Sequence, residues 1–76
     1  MNLLVVFMVV YEERSVSRAA TRLQRGQPAV SNSLAKLRAL TGDRLFIFRC
    51  RMFQPTKKAI LLADMLSACL PSGLSG

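Results

Sequence analysis

The chain has no histidine, and its four acidic residues, Glu12, Glu13, Asp43 and Asp64, lie scattered along 76 positions. Without histidine, and with no Ser or Cys that has a general base beside it in sequence, the inventory for catalysis is missing, so no enzyme is expected. Cysteine is nearly as scarce. Cys50 and Cys69 share no short ligand spacing, which argues against a zinc site, and both read as reduced, cytosolic thiols. Glycine-rich phosphate loops are lacking too. No metal and no cofactor is therefore expected. The one continuous apolar run, LLVVFMVVY at residues 3–11, is about half the length of a membrane-spanning helix. It is preceded by Met1-Asn2 and followed by Glu12-Glu13, the wrong flanks for a secretory leader.

What is abundant is positive charge. Eleven Lys and Arg oppose the four acids, and from Arg14 to Lys58 all eleven face a single acid, Asp43. Such a field attracts a polyanion, either nucleic acid or an anionic membrane face, although charge alone also fits a merely solvated surface. A membrane reading is weaker, because apolar and basic residues alternate by helix and build no single two-faced helix. A chain of this length makes one small domain with a thin core, and a partner would help to stabilise it.

Leu3, Leu4, Phe7, Val10 and Tyr11 fit the apolar stripe of a first helix. The valines between them favour a strand by propensity, and the helix is preferred because the segments after it read as helices. Ser15 can cap a second helix, with Val16, Ala19, Ala20 and Leu23 as its stripe. Arg14, Arg18 and Arg22 recur at four-residue spacing, like charges that call for an anion. Gly26 and Gln27 break the pattern, and Pro28 suits the first turn of a third helix. That helix turns Val30, Leu34 and Leu37 inward, leaves Pro28, Ser31, Asn32, Ala35 and Lys36 outside, and ends at Gly42. Leu45–Phe48 and Met52–Gln54 can pair as a hairpin with Arg49, Cys50 and Arg51 at its tip. Thr56 then caps a fourth helix, whose Ile60, Leu61, Met65, Leu66, Cys69 and Leu70 form an apolar side. Lys57 and Lys58 occupy its first turn, where the helix dipole disfavours cations.

The architecture expected is mainly α, a winged helix-turn-helix: a three-helix core, a short β-hairpin wing and a C-terminal linker helix. The helix-turn-helix covers about residues 16–40 and the wing about 45–54, within a domain 1–58. A linker helix over 56–70 and a flexible tail over 71–76 complete the chain. This geometry fits duplex DNA, with the second helix of the pair in the major groove and the hairpin on a neighbouring backbone or minor groove. Gln27 and Asn32 can each make two hydrogen bonds to adenine, while Ser31 and Ser33 can serve a base edge or a phosphate. Pro28 is small enough to let the backbone come near. Ser15, Arg18, Lys36, Arg49, Arg51, Thr56, Lys57 and Lys58 complete the set of candidate DNA contacts.

The string ERSVSRAATRL, then QPAVSNSLAKLRAL, GDRLF and QPT, closely resembles the N-terminal domain of bacterial LysR-type transcriptional regulators, from about Leu3 to Thr56. The resemblance implies a cytoplasmic, sequence-specific DNA binder, with Gln27, Pro28, Ser31 and Asn32 at the groove and the wing on the backbone. It also implies pairing of two subunits through the last helix, by Leu61, Leu62, Met65 and Leu66. The pair is either a homodimer or a heterodimer with a full-length relative. An alternative is an interaction module that joins such a relative with little specific DNA binding of its own. Family members continue into a long effector-binding region, so a chain ending at Gly76 is expected to sense no small molecule. Arg25 stands where the family has an apolar residue and is expected to leave a small hole in the core. Gly26 replaces a capping hydroxyl, and Phe48, Cys50 and Met52 replace the usual Arg and glycines of the wing.

Overall fold

The computed structural model describes residues 2–69, with the side chain of Cys69 left out; the tail expected over 71–76 and the contribution of Leu70 lie outside them. Helices α1 (Leu3–Glu13), α2 (Val16–Leu23) and α3 (Gln27–Thr41) are followed by strands β1 (Phe46–Arg49) and β2 (Met52–Pro55) and helix α4 (Lys57–Cys69). The strands form one antiparallel ribbon, Phe46 opposite Pro55 and Arg49 opposite Met52.

Each helix is delimited by local chemistry. Asn2 Oδ1 accepts the Leu4 N–H at 2.9 Å and opens α1. Ser15 Oγ accepts the Arg18 N–H and opens α2, as expected of a hydroxyl at that position. Gly26 opens α3 with no side-chain cap, and Pro28 sits in its first turn. Gly42 closes α3 at φ 70°, in the left-handed region that glycine tolerates, and its N–H returns to the Arg38 carbonyl.

The core is Val6, Phe7, Val9 and Val10 of α1, Ala19 and Ala20 of α2, Val30, Leu34 and Leu37 of α3, Leu45 and Phe46, and Ala59 and Ala63 of α4. The first helix is thus helical as expected, but its inward face is rotated: Val6 and Val9 are buried, whereas Leu4 is exposed. Small Ala19 and Ala20 let α2 approach closely. Phe7 packs at a tilt against Phe46 (centroids 5.4 Å apart), and Phe46 stacks on Phe53 (6.0 Å), so an aromatic row ties the wing to the helices. Losing Phe7 to Ala would cost about 3–5 kcal/mol, a large part of what a small domain has.

Three sequence expectations need correction here. Leu45 is not in the first strand: it precedes β1 at φ 66°, fully buried. An apolar side chain is drawn into the core at the cost of a left-handed backbone, about 1–3 kcal/mol of strain offset by that burial. The hairpin tip narrows to Cys50 and Arg51, both at positive φ (54° and 63°), a two-residue turn formed without glycine or asparagine. Arg25 itself does not occupy a core position: it is exposed in the turn after α2, its N–H donating to the Ala20 carbonyl at 2.9 Å.

Candidate nucleic-acid interface

Helix α3 presents its groove-facing candidates together. With Val30, Leu34 and Leu37 turned inward, the roughly 100° advance per residue leaves Gln27, Pro28, Ser31, Asn32, Ala35 and Lys36 exposed on the outer side. Ser33 is separated from them. It is half-buried, and its Oγ donates to the Ala29 carbonyl at 3.0 Å, because position 33 lies between the inward residues 30 and 37.

Ser15 is half-buried and already engaged as the cap of α2, whereas Arg18, one turn on, is exposed. The row Arg14, Arg18, Arg22 is broken up by the fold. Arg14 ends α1 in a left-handed conformation, its Nε donating to the Tyr11 carbonyl at 2.7 Å and its guanidinium over the Tyr11 ring. Arg22 Nη1 lies 2.6 Å from Glu12 Oε1. The hydrogen bond that Arg22 donates to the Glu12 carboxylate raises the Arg22 pKa above its ordinary value. The anion that this row called for is supplied inside the chain, by the last turn of α1.

The wing carries Arg49 and Arg51 exposed, and a main-chain bond from the Phe53 N–H to the Arg14 carbonyl, 3.1 Å, anchors it to the corner between α1 and α2. Exposed Arg25 adds a cation at the entrance to α3, at a position where the sequence pointed to the core.

At the start of α4 the candidates divide. Thr56 is half-buried, its Oγ1 accepting the Ala59 N–H at 3.2 Å and donating to Asp43 Oδ2 at 2.6 Å. Lys57 is exposed with no hydrogen-bond partner among the described residues. Lys58 Nζ donates to the Thr41 carbonyl at 3.1 Å, so its charge serves the C-terminal end of α3, where the helix dipole favours it. Thr56 and Lys58 are thus committed to internal bonds. The proposed pairing residues divide as well. Leu62 and Leu66 pack against the core beside Ala59 and Ala63, whereas Leu61 and Met65 are 58% and 65% exposed.

Among the described residues no group of three potential metal ligands occurs, and no helix is long and apolar enough to cross a membrane.

A helix pair with an open second helix and a basic hairpin beside it defines a winged helix-turn-helix. Residues 1–59 match the family described as bacterial regulatory helix-turn-helix protein, lysR family, and the chain belongs to that family. It is 45% identical over 62 residues to the HTH-type transcriptional regulator LeuO of Escherichia coli, covering 82% of this chain and 20% of that protein. It is 48% identical over 64 residues to the HTH-type transcriptional activator NagR of Ralstonia, covering 84% and 21%. The chain therefore spans about a fifth of the length of these curated relatives.

Among solved structures, a probable transcriptional regulator from Pseudomonas aeruginosa superposes with a TM-score of 0.86 at 39% identity, over 91% of this chain and 23% of that one. The BenM DNA-binding domain in complex with catB site 1 DNA superposes with a TM-score of 0.78 at 28% identity, over 91% and 84%. The chain is thus a LysR-type helix-turn-helix DNA-binding domain of the kind found in transcriptional regulators, and the interaction-module alternative is not favoured.

Proposed function

We propose that the chain reads duplex DNA sequence-specifically as a dimer, in the bacterial cytoplasm, and catalyses no reaction. Helix α3 enters the major groove. Gln27 and Asn32 supply the bidentate amides suited to adenine, Ser31 a further hydrogen bond, and Pro28 and Ala35 leave room for close approach. Arg18, Arg25, Lys36 and Lys57 contact phosphates, and Arg49 and Arg51 bring the wing to the neighbouring backbone or minor groove. The unit running through the wing, residues 1–58, reads DNA, and α4 serves as the linker helix. Pairing through exposed Leu61 and Met65 sets two α3 helices about one DNA turn apart, over a roughly palindromic site.

The observation that carries this reading is the outer side of α3, where Gln27, Ser31, Asn32 and Lys36 are exposed together while the apolar residues of the same helix are buried. The BenM complex supports it, since a domain of the same fold is there bound to DNA. The test is fluorescence anisotropy of the chain at several salt concentrations, against random duplexes and a pool of palindromic sites. Tight binding to a subset, two chains per duplex and a steep salt slope are expected. Weak, uniform binding would overturn it.

A further inference from the structure

Helices α3 and α4 are joined by polar ties that neither helix needs for its own formation. Helix α3 ends at Thr41 and Gly42, and Thr41 Oγ1 accepts the Asp43 N–H at 3.4 Å. The Asp43 carboxylate then accepts two bonds on one oxygen, from the Leu45 N–H at 3.0 Å and from the Thr56 hydroxyl at 2.6 Å. Thr56 is the residue that caps α4, and its own N–H donates to the Leu45 carbonyl at 2.8 Å. One residue into α4, Lys58 reaches back to the Thr41 carbonyl. Two side-chain ties, Asp43 to Thr56 and Lys58 to Thr41, thus connect the end of one helix to the beginning of the other. The body of α4 is seated by small Ala59 and Ala63 beside half-buried Leu62 and Leu66. These hold the body of α4 against the core, and the two ties join its first turn to the end of α3. The carboxylate is also held below its ordinary pKa, first by the Thr56 bond, so the tie is made by the charged form.

We infer that Asp43 is a positioning residue that fixes the direction of α4 relative to α3 and so sets the half-site spacing that the dimer accepts. The spacing consequence rests on the proposed pairing through α4; the local tie does not. One added base pair turns a half-site by about 35° and moves it by about 3.4 Å, so a rigid pair of recognition helices tolerates it poorly.

Two measurements test this. Spin labels at Leu40→Cys and Ser67→Cys, with Cys50 and Cys69 replaced by Ser, report the α3–α4 distance within one chain, in dilution with unlabelled protein. The distribution is expected to be narrow in the parent chain, in Asp43→Asn and in Thr56→Ser, which keep acceptor and hydroxyl, and broad in Asp43→Ala. Binding to duplexes whose half-site spacing varies by one or two base pairs gives the second reading. The parent chain should lose on the order of tenfold per displaced base pair, the size of a mismatch effect. Asp43→Ala should flatten that preference, while Asp43→Asn, which removes the same charge, keeps it. Should Asp43→Ala fail to fold, Lys58→Met, which has no donor, breaks the other tie and is read in the same way. An unbroadened distance in Asp43→Ala or in its substitute would overturn the inference. If the parent chain bound no duplex at all, the proposed function would fall, and the spin-label distances would still decide for or against the tie.

Discussion

Arg22 of α2 reaches the last turn of α1, its Nη1 2.6 Å from Glu12 Oε1 and 3.3 Å from Glu13 Oε2. Both partners are substantially exposed, so the pair contributes little to stability, under about 1 kcal/mol, and less at high salt. Because its charge is already neutralised, Arg22→Ala should leave the salt dependence of DNA binding nearly unchanged. Chemical denaturation and a salt titration of the same variant check both halves of this expectation.

Base-reading and phosphate-neutralising residues should separate in their response. Asn32→Ala is expected to cost about 1–3 kcal/mol on the preferred site and to relax the choice of base there. Arg51→Ala should weaken all sequences alike and lower the salt slope by about one. Competition against mismatched sites, repeated across salt concentrations, distinguishes the two. Identical behaviour would refute the assignment of the outer side of α3 to base reading.

The two sides of α4 differ in burial, although the sequence shows large apolar residues on both: Leu62 and Leu66 pack against the core, Leu61 and Met65 are exposed. Leu61→Asp and Met65→Asp place a charge where the side chain is already exposed. They should abolish pairing in sedimentation experiments while leaving the helical signal and monomer stability close to the parent. Leu62→Ala should instead destabilise each chain, by about 1–2 kcal/mol, below the range for a fully buried leucine because the site is only half-buried. If Leu61→Asp unfolded the chain, α4 would have to be seated the other way round.

The helix-turn-helix was legible because its signals are local and period-based. Val30, Leu34 and Leu37 define an inward side of α3, Pro28 and Gly42 mark its ends, and the advance per residue assigns the outer residues. Other features were illegible because they depend on partners distant in sequence. Arg22 and Lys58 look like unsatisfied charges until the fold brings Glu12 and the Thr41 carbonyl to them. The apolar run 3–11 of α1 does not reveal which side faces inward, since every rotation buries valine. Leu45 is pulled out of strand geometry by the core, a tertiary effect that no local propensity encodes. Leu62 and Leu61 are the same residue type one position apart, and only the packing of α4 on the core makes one half-buried and the other exposed.

Asp43 should leave a signature in the pH dependence of stability. Its folded-state pKa lies below the ordinary 3.8, owing first to the Thr56 hydroxyl and next to the Leu45 N–H. A depressed carboxylate contributes stability that is fully present above its unfolded pKa and is lost as pH falls through the folded value. The difference in urea midpoint between the parent chain and Asp43→Asn should therefore be constant between about pH 5 and 8 and shrink below about pH 4. A difference that stayed constant into strong acid would show that another group stabilises this corner.

Gly26 opens α3 without a side-chain cap, at φ −73°, a conformation open to any residue. A Cβ built there meets only the Pro28 Cδ, at 3.6 Å, an ordinary contact, so serine fits without displacing its neighbours. Its hydroxyl can accept an N–H of the first turn of α3, and a serine cap exceeds glycine by only a few tenths of a kcal/mol. Gly26→Ser should thus raise the unfolding midpoint slightly. If the hydroxyl also meets a phosphate at the helix entrance, DNA binding should tighten equally on all sequences. The salt slope should stay the same, because no charge has been added. Anisotropy on matched and random duplexes measures this directly: a gain confined to one sequence would put residue 26 among the base-reading groups, and a loss of stability would show that the α3 entrance does not accommodate a side chain.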